Sequence, residues 1–415
     1  MNIDNYSYLC GYFFVSKDYR GIPAGLSDTW ILKEYDAGAR QMLSNFYYPE
    51  FVKFCAEYNT MYRLEIGDDI SVPLRNGSGS CAFHVDDISL GIYPYGVVLF
   101  SIGLAFTDTP EEQVVETLGK LRSCCFYDGT VMQDFLAKVI APLNRVYKAF
   151  GRELPPDGAS CPHLVETGNK FKIFQIVRGN GIPTGQEEMD RMLFGLGTLS
   201  IYDENDLFSS SKDYHDKLMK QGRLSVFNNW KALMLLDTVT FVAVDVSDFQ
   251  IWIWKKDYFG KIYQYELFRK IYLYRQNLLF RSGATKAEEL QDELKEFERK
   301  YTFSSISYNF LPNDIDSKIG MNLEFKREMD DVYHAIDQDV QAIQNERENR
   351  FNKFLTFLTI MASLSAVWDI TSMLDAVMDY EHSLPSALMG YRVTVSVLIA
   401  VILLVALVSR HKKSK

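Results

Sequence analysis

The most pronounced hydrophobic pattern lies toward the C-terminal end. Val393 to Val408 reads VTVSVLIAVILLVALV, uncharged throughout, and Ala387-Leu-Met-Gly-Tyr extends it upstream with Arg392 as the one interruption. A helix crossing the bilayer's hydrocarbon needs about 20 apolar residues, so this pattern predicts a membrane span over 388–409. Phe354 to Leu374 (FLTFLTIMASLSAVWDITSML) is less apolar and carries Thr356, Thr359, Ser363, Ser365, Asp369, Thr371 and Ser372. Beside the stronger run it reads as another span, over 354–374, with a polar face turned from lipid. Between Met321 and Leu384 there is no Gly or Pro. Apolar residues recur there at Met329, Val332, Ile336, Val340, Ile343, Phe351, Phe354 and Leu358, the three- and four-residue spacing of a helix. One continuous helix is expected from about Leu323 to about Ser372, roughly 75 Å at 1.5 Å per residue.

The first 320 residues show shorter periods. Tyr6–Val15 reads as a strand, Cys81–Phe106 as strand–turn–strand broken at Gly91 and Pro94-Tyr-Gly96, and Phe171–Val177 as a further strand. Thr238–Trp254 reads as two strands around Ser247-Asp248. Helical stretches are Thr109–Arg122, Val131–Phe150, Gln186–Leu193, Ile262–Phe280 and Lys286–Tyr301. The fold class predicted is an α+β, αβα-like cytosolic domain over 1–320, with a possible sub-boundary in the turn-rich stretch 151–168. A stalk helix over 321–353 follows, then the first span, an acidic hairpin over 375–387, the second span and a basic tail over 410–415.

Charge adds direction. Arg347, Arg350 and Lys353 precede the first span, and Arg410, Lys412, Lys413 and Lys415 follow the second, whereas Asp375, Asp379 and Glu381 lie between them. The excess of basic residues on one side predicts a multi-pass protein with both termini in the cytoplasm and the acidic hairpin outside. The 415 residues carry 44 Lys+Arg against 54 Asp+Glu, a net charge of −10, which argues against direct nucleic-acid binding. The six cysteines show no C-x-x-C pair and no zinc spacing, so reduced thiols are expected. The N-terminus has neither a basic n-region nor a long apolar run, so no cleavable signal is expected.

Asn352, Thr356, Thr359 and Ser363 step by four, three and four and so share one stripe of the first span; Asp369 lies on a neighbouring stripe. In a symmetric oligomer these residues form rings around an axis, and hydroxyl and carboxylate rings suit a hydrated cation path. Asp375, Asp379 and Glu381 would stand at its outer mouth. The alternative for Asp369 is an interfacial position beside Trp368.

This order of features, with Asn349-Arg-Phe-Asn352 and Leu358-Thr-Ile360 where the stalk enters the membrane, resembles the CorA-type metal-ion transporters over residues 320–415. The resemblance implies a homopentamer of a bacterial inner membrane, a cytosolic αβα domain and magnesium as one possible cargo. The family's Gly-Met-Asn signature at the outer end of the first span is replaced by Ala376-Val377-Met378. Gly320-Met321-Asn322 stands on the cytosolic side and reads as a helix-start feature. Loss of the signature is similar to the divergent CorA-like effectors of type III CRISPR systems. That resemblance implies a channel gated by a nucleotide messenger, a conjugate of S-adenosylmethionine and AMP, in antiviral defence.

No set of catalytic residues was found: H-E-x-x-H, Walker A, G-x-S-x-G and the kinase motifs are missing from the sequence, and a non-enzymatic role is expected. Arg178-Gly-Asn180-Gly joins a strand to a helix, where Arg178 and backbone amides near Asn180 are a weak candidate for holding a phosphate, against a plain turn. His84 near Asp86 and Asp87 is an acid–base or metal candidate weighed against a surface histidine. The aromatic residues of Ile262–Phe280 favour helix packing over base stacking. Two rival readings stand beside the gated channel: a constitutive magnesium or divalent-cation transporter, and a membrane-anchored interaction protein without a pore.

Overall fold

The computed structural model describes residues 1–26, 29–74, 79–124, 132–154, 162–165, 170–179, 182, 185–200 and 210–378. They divide into two units, Met1–His334 and Ala335–Lys415.

The first unit is built on one nine-stranded sheet. Its strands are β1 (Asn2–Phe14), β2 (Ile31–Lys33), β3 (Thr60–Pro73), β4 (Ser80–Tyr93), β5 (Val97–Pro110), β6 (Lys172–Arg178), β7 (Arg223–Phe227), β8 (Trp230–Met234) and β9 (Thr238–Ala243). They lie in the order β2-β3-β4-β5-β1-β6-β9-β8-β7. Only the β6–β9 pair is parallel, Ile173 facing Thr238 and Arg178 facing Ala243. β8 and β9 are buried along their whole length, as expected for strands covered on both faces. β3, next to the short edge strand β2, alternates half-buried and exposed residues along most of its length.

Before the long C-terminal helix, the helices are α1 (Ala37–Ser44), α2 (Pro49–Glu57), α3 (Glu111–Arg122), α4 (Gln133–Phe135), α5 (Ala141–Ala149), α6 (Gln186–Thr198), α7 (Lys212–Gly222), α8 (Asp248–Ile253), α9 (Gln264–Arg281), α10 (Ala287–Tyr301) and α11 (Phe310–Asn322). Segments wound with wider π turns, Leu136–Ile140 and Trp254–Tyr263, join α4 to α5 and α8 to α9.

Helices cover both sides of the sheet. One core joins Leu9 and Phe13 of β1 and Phe100 and Leu104 of β5 to Leu118 of α3, Leu143 of α5 and Leu193 of α6. The other side is aromatic: Phe174 and Phe241 meet Phe259, Tyr263 and Trp254, while Phe54 of α2 meets Tyr265 and Phe268 of α9 and Tyr301 of α10. The aromatic run of α9 therefore serves helix packing. A polar ladder crosses the buried sheet: Asn5 donates to Gln175, and Gln175 donates to Thr240 and to the Leu196 carbonyl. These bonds satisfy the buried amides, which unpaired would each cost about 1–3 kcal/mol.

The sheet corrects three expectations. The second half of Thr238–Trp254 is the helix α8, because Ser247 caps it through Gln250 N–H and Asp248 sits in its first turn. The stretch 151–168 does not separate two sheets, since β1 pairs with both β5 and β6. Gly320-Met321-Asn322 closes α11 instead of opening the next helix. A Cβ at Gly320 would stand 2.9 Å from Glu266 Oε2, so the glycine permits close approach to α9.

The last described element is α12, Phe325–Met378, 54 residues without a break. It is about 80 Å long at 1.5 Å per residue. It starts two residues later than the apolar spacing predicts, because Leu323 caps α11 and Glu324 adopts a left-handed conformation (φ 58°). It also runs past Leu374, so 375–378 of the predicted hairpin is helical; Asp375-Ala-Val-Met378 contains no breaker. The second predicted span, 388–409, and the basic tail lie outside the described residues.

Candidate functional site

The candidate site is the apolar part of α12. Among the described residues one helix is long and apolar enough to cross a membrane, and none of its most apolar stretch is buried. Phe351, Phe354, Phe357, Leu358, Met361, Trp368 and Met373 are all exposed. A contiguous apolar surface of this size marks an interaction site for membrane or protein.

On that surface Thr356 donates to the Asn352 carbonyl at 2.8 Å, Thr359 to the Leu355 carbonyl at 2.8 Å, and Ser363 to the Thr359 carbonyl at 2.7 Å. Each hydroxyl thus commits its proton to its own helix, one turn back. The donor is satisfied without a partner, which lowers the cost of placing it in hydrocarbon. The oxygen lone pairs remain directed away from the helix as acceptors. Asn352 and Asp369 are exposed on the same helix. Asp375 lies on the helical backbone; Asp379 and Glu381 fall outside the described residues.

The root of α12 is held by charge and stacking within the first unit. The Arg269 guanidinium lies 3.7 Å from the centroid of Phe325's ring and bonds Glu266 at 2.5 Å. Lys270 donates to the Leu323 carbonyl at 2.8 Å and pairs with Glu328. Asp316 of α11 faces Glu266; burial, and next the charge of Glu266, push the Asp316 carboxyl well above the usual carboxylate range. A proton held by Asp316 lets it donate to Glu266, whose Oε2 otherwise has no partner.

The chain matches no protein-family model and no curated protein. The functional reading therefore rests on its residues.

The other predicted sites fall elsewhere in the first unit. Arg178, at the end of β6, pairs with Asp248 and lies 3.5 Å from Asp4, so its charge is already matched. The cavity beside it is acidic, lined by Asp4, Asp108 and Asp245. Asn180 lies outside the described residues. His84 Nδ1 is 2.7 Å from Asp69, and its Nε2 is 3.8 Å from Asp86. Among the described residues no group of three or more His, Cys, Asp or Glu side chains is placed to hold a metal ion. The sequence reading missed the lysines of Trp254-Lys-Lys-Asp257, because it ended a strand at Trp254; in the structure they open a π-wound segment. The signal available was Ser247 as a helix cap.

Proposed function

We propose that this chain forms a homo-oligomeric ion channel of CorA-like architecture, whose first unit senses a cytosolic nucleotide messenger and opens the pore as an antiviral effector. The observation that carries the channel reading is the stripe Asn352–Thr356–Thr359–Ser363 on an unburied apolar helix, each hydroxyl proton turned inward. Repeated around a symmetry axis, such a stripe lines a path with oxygen lone pairs, which replace part of a cation's hydration shell. The apolar flanks, Phe354, Phe357, Leu358 and Met361, face lipid and neighbouring helices. The messenger opens the channel by binding the open state more tightly than the closed one. The second span rests on the apolar run Val393–Val408, and the pentamer and the messenger rest on the resemblance to CorA-like effectors.

The test is ion flux from proteoliposomes in magnesium, potassium and sodium, with and without nucleotide messengers. Messenger-dependent flux that Thr359→Leu reduces at least tenfold is the expected result. Messenger-independent, magnesium-selective flux would make the protein a transporter, and absence of flux from a protein that is monomeric in the bilayer would overturn the channel.

A further inference from the structure

Away from α12, an open cavity of about 540 Å³ lies between β1–β5 and the π-wound segment. Three backbone irregularities converge on it. β3 carries a bulge between Glu65 and Asp68, with Gly67 at φ +63°; β4 carries one between Val85 and Ile88; and the covering segment Trp254–Tyr263 is wound wide. Bulges and π turns re-aim side chains and recur beside functional sites. Here they direct Lys255, Lys256, Phe259 and Gln264 to a cavity that Lys33 of β2 and Ser101 of β5 also line.

The charges divide into two sets. Arg63 is paired with Asp87 and lies 3.7 Å from Glu65, and His84 stands between Asp69 and Asp86. Those carboxylates have partners. Lys33, Lys255 and Lys256 have no carboxylate within ion-pair distance among the described residues. Each ammonium instead stands over an aromatic ring: Lys255 3.4 Å from the centroid of Tyr6, Lys256 4.4 Å from that of Trp252, and Lys33 5.9 Å from that of Tyr35. A ring face holds a cation in place without neutralising it. Desolvation first, then Lys261 and Lys256, lowers the pKa of Lys33, and desolvation lowers that of Lys255. Asp86 and Asp87 attract Lys255, and Asp87 attracts Lys33, from beyond ion-pair distance, so the ammoniums are only partly compensated and an anion that meets them is favoured. Ser101 and Gln264, which also line the cavity, are 4% and 5% exposed.

We infer that this cavity binds a small ligand bearing at least two phosphoryl charges, held by Lys33, Lys255 and Lys256, with Ser101 and Gln264 hydrogen-bonding its uncharged part. The three cations are lysines, point charges suited to phosphoryl oxygens; a planar carboxylate is better matched by arginine's fork. Tyr8 and Phe259 are already stacked on each other at 3.8 Å, so they form a wall and leave no open slot between them. This site rests on the reading that the first unit senses a nucleotide, and it favours a messenger with two or more phosphoryl charges over the single phosphodiester of an S-adenosylmethionine–AMP conjugate; its test involves no ion flux, so either claim can fail alone.

The probe is inorganic pyrophosphate, titrated into the full chain in nanodiscs by calorimetry and by thermal unfolding, with sulfate at matched ionic strength as reference. Saturable binding and a rise in Tm beyond that given by sulfate are expected. Lys255→Met with Lys256→Met should weaken binding at least tenfold, Lys255→Arg alone should retain it, and Lys286→Met with Lys295→Met on the exposed face of α10 should leave it unchanged. Should the double variant fold poorly, Lys33→Met provides the same test from another strand. Pyrophosphate binding no better than sulfate, or equal binding by the wild type and both Lys variants of the cavity, would overturn the site.

Discussion

Trp230 and Trp254 are each 1% exposed and meet edge to face at 5.6 Å in the aromatic layer of the sheet unit, whereas Trp368 on α12 is 74% exposed. The same side chain, with the same aversion to water, has opposite surroundings in the two units. In the first, the chain supplies its own apolar environment; along the apolar part of α12 the described residues leave most side chains exposed. At about 25 cal/mol per Å² of apolar area, leaving Phe354, Phe357, Met361 and Trp368 in water is costly. The difference marks α12 as the helix among the described residues that is long and apolar enough to cross a membrane and whose most apolar stretch is exposed.

The comparison can be broken most sharply by truncating matched residues. Trp230→Ala should remove about 3–5 kcal/mol from the first unit's stability, the usual cost of deleting a buried aromatic. Trp368→Ala should leave the same unfolding transition within about 0.5 kcal/mol. Urea denaturation in nanodiscs, followed by circular dichroism, checks both; a Trp368→Ala loss as large as that of Trp230→Ala would mean that α12 is buried after all.

Ion pairs extend the comparison. The Arg269–Glu266 pair is buried at the root of α12, and Arg350–Glu346 is exposed further along. Arg269→Ala leaves the buried Glu266 carboxylate without its counter-charge and should cost about 3 kcal/mol or more. Arg350→Ala removes an exposed i,i+4 pair worth about 0.3–0.5 kcal/mol. The same denaturation series separates them.

The smallest effect concerns protons. A carboxyl whose folded pKa is raised binds its proton more tightly when folded. Stability then falls as pH rises from the ordinary Asp value, about 3.9, toward the raised one, because the unfolded state ionises first. Asp316 should impose this slope, with Glu266 and Arg269 as its charged neighbours. Asp316→Asn keeps a donor toward Glu266 without the ionisation, so its Tm should vary less with pH above 4 than that of the wild type. Parallel Tm–pH curves for the two would refute the shared proton.

Much of this arrangement is legible in the sequence because it is periodic. β1, β4, β5, β6 and α12 follow from alternation or three–four spacing, and the hydroxyl stripe follows from helical geometry alone. β3 alternates too, but its Asp, Glu and Gly residues hide the pattern, and the bulge at Gly67 breaks its phase. β7 and β8 are five residues each, too short for a period to declare itself. α8 was obscured because Asp248-Phe-Gln-Ile-Trp-Ile253 alternates like a strand, and Phe249 and Trp252 remain exposed despite being apolar. The lysine wall was out of reach for a different reason. Lys33 and Lys255 are distant in sequence, and only the order of strands in the sheet brings them to one cavity.

That strand order also bears on how the protein is made. β1 pairs with β5 from Phe14↔Val97 to Asn2↔Pro110, and with β6 from Cys10↔Lys172 to Asp4↔Arg178. At about 5–20 residues per second on the ribosome, β1 waits roughly five to twenty seconds for its first partner and longer for its second. Through that interval Tyr6-Ser-Tyr-Leu-Cys-Gly-Tyr-Phe-Phe14 is an apolar strand with two open edges, the kind of segment that nucleates aggregation. The nascent chain should therefore depend on a chaperone until residue 178 has emerged, and by then α12 has yet to be synthesised.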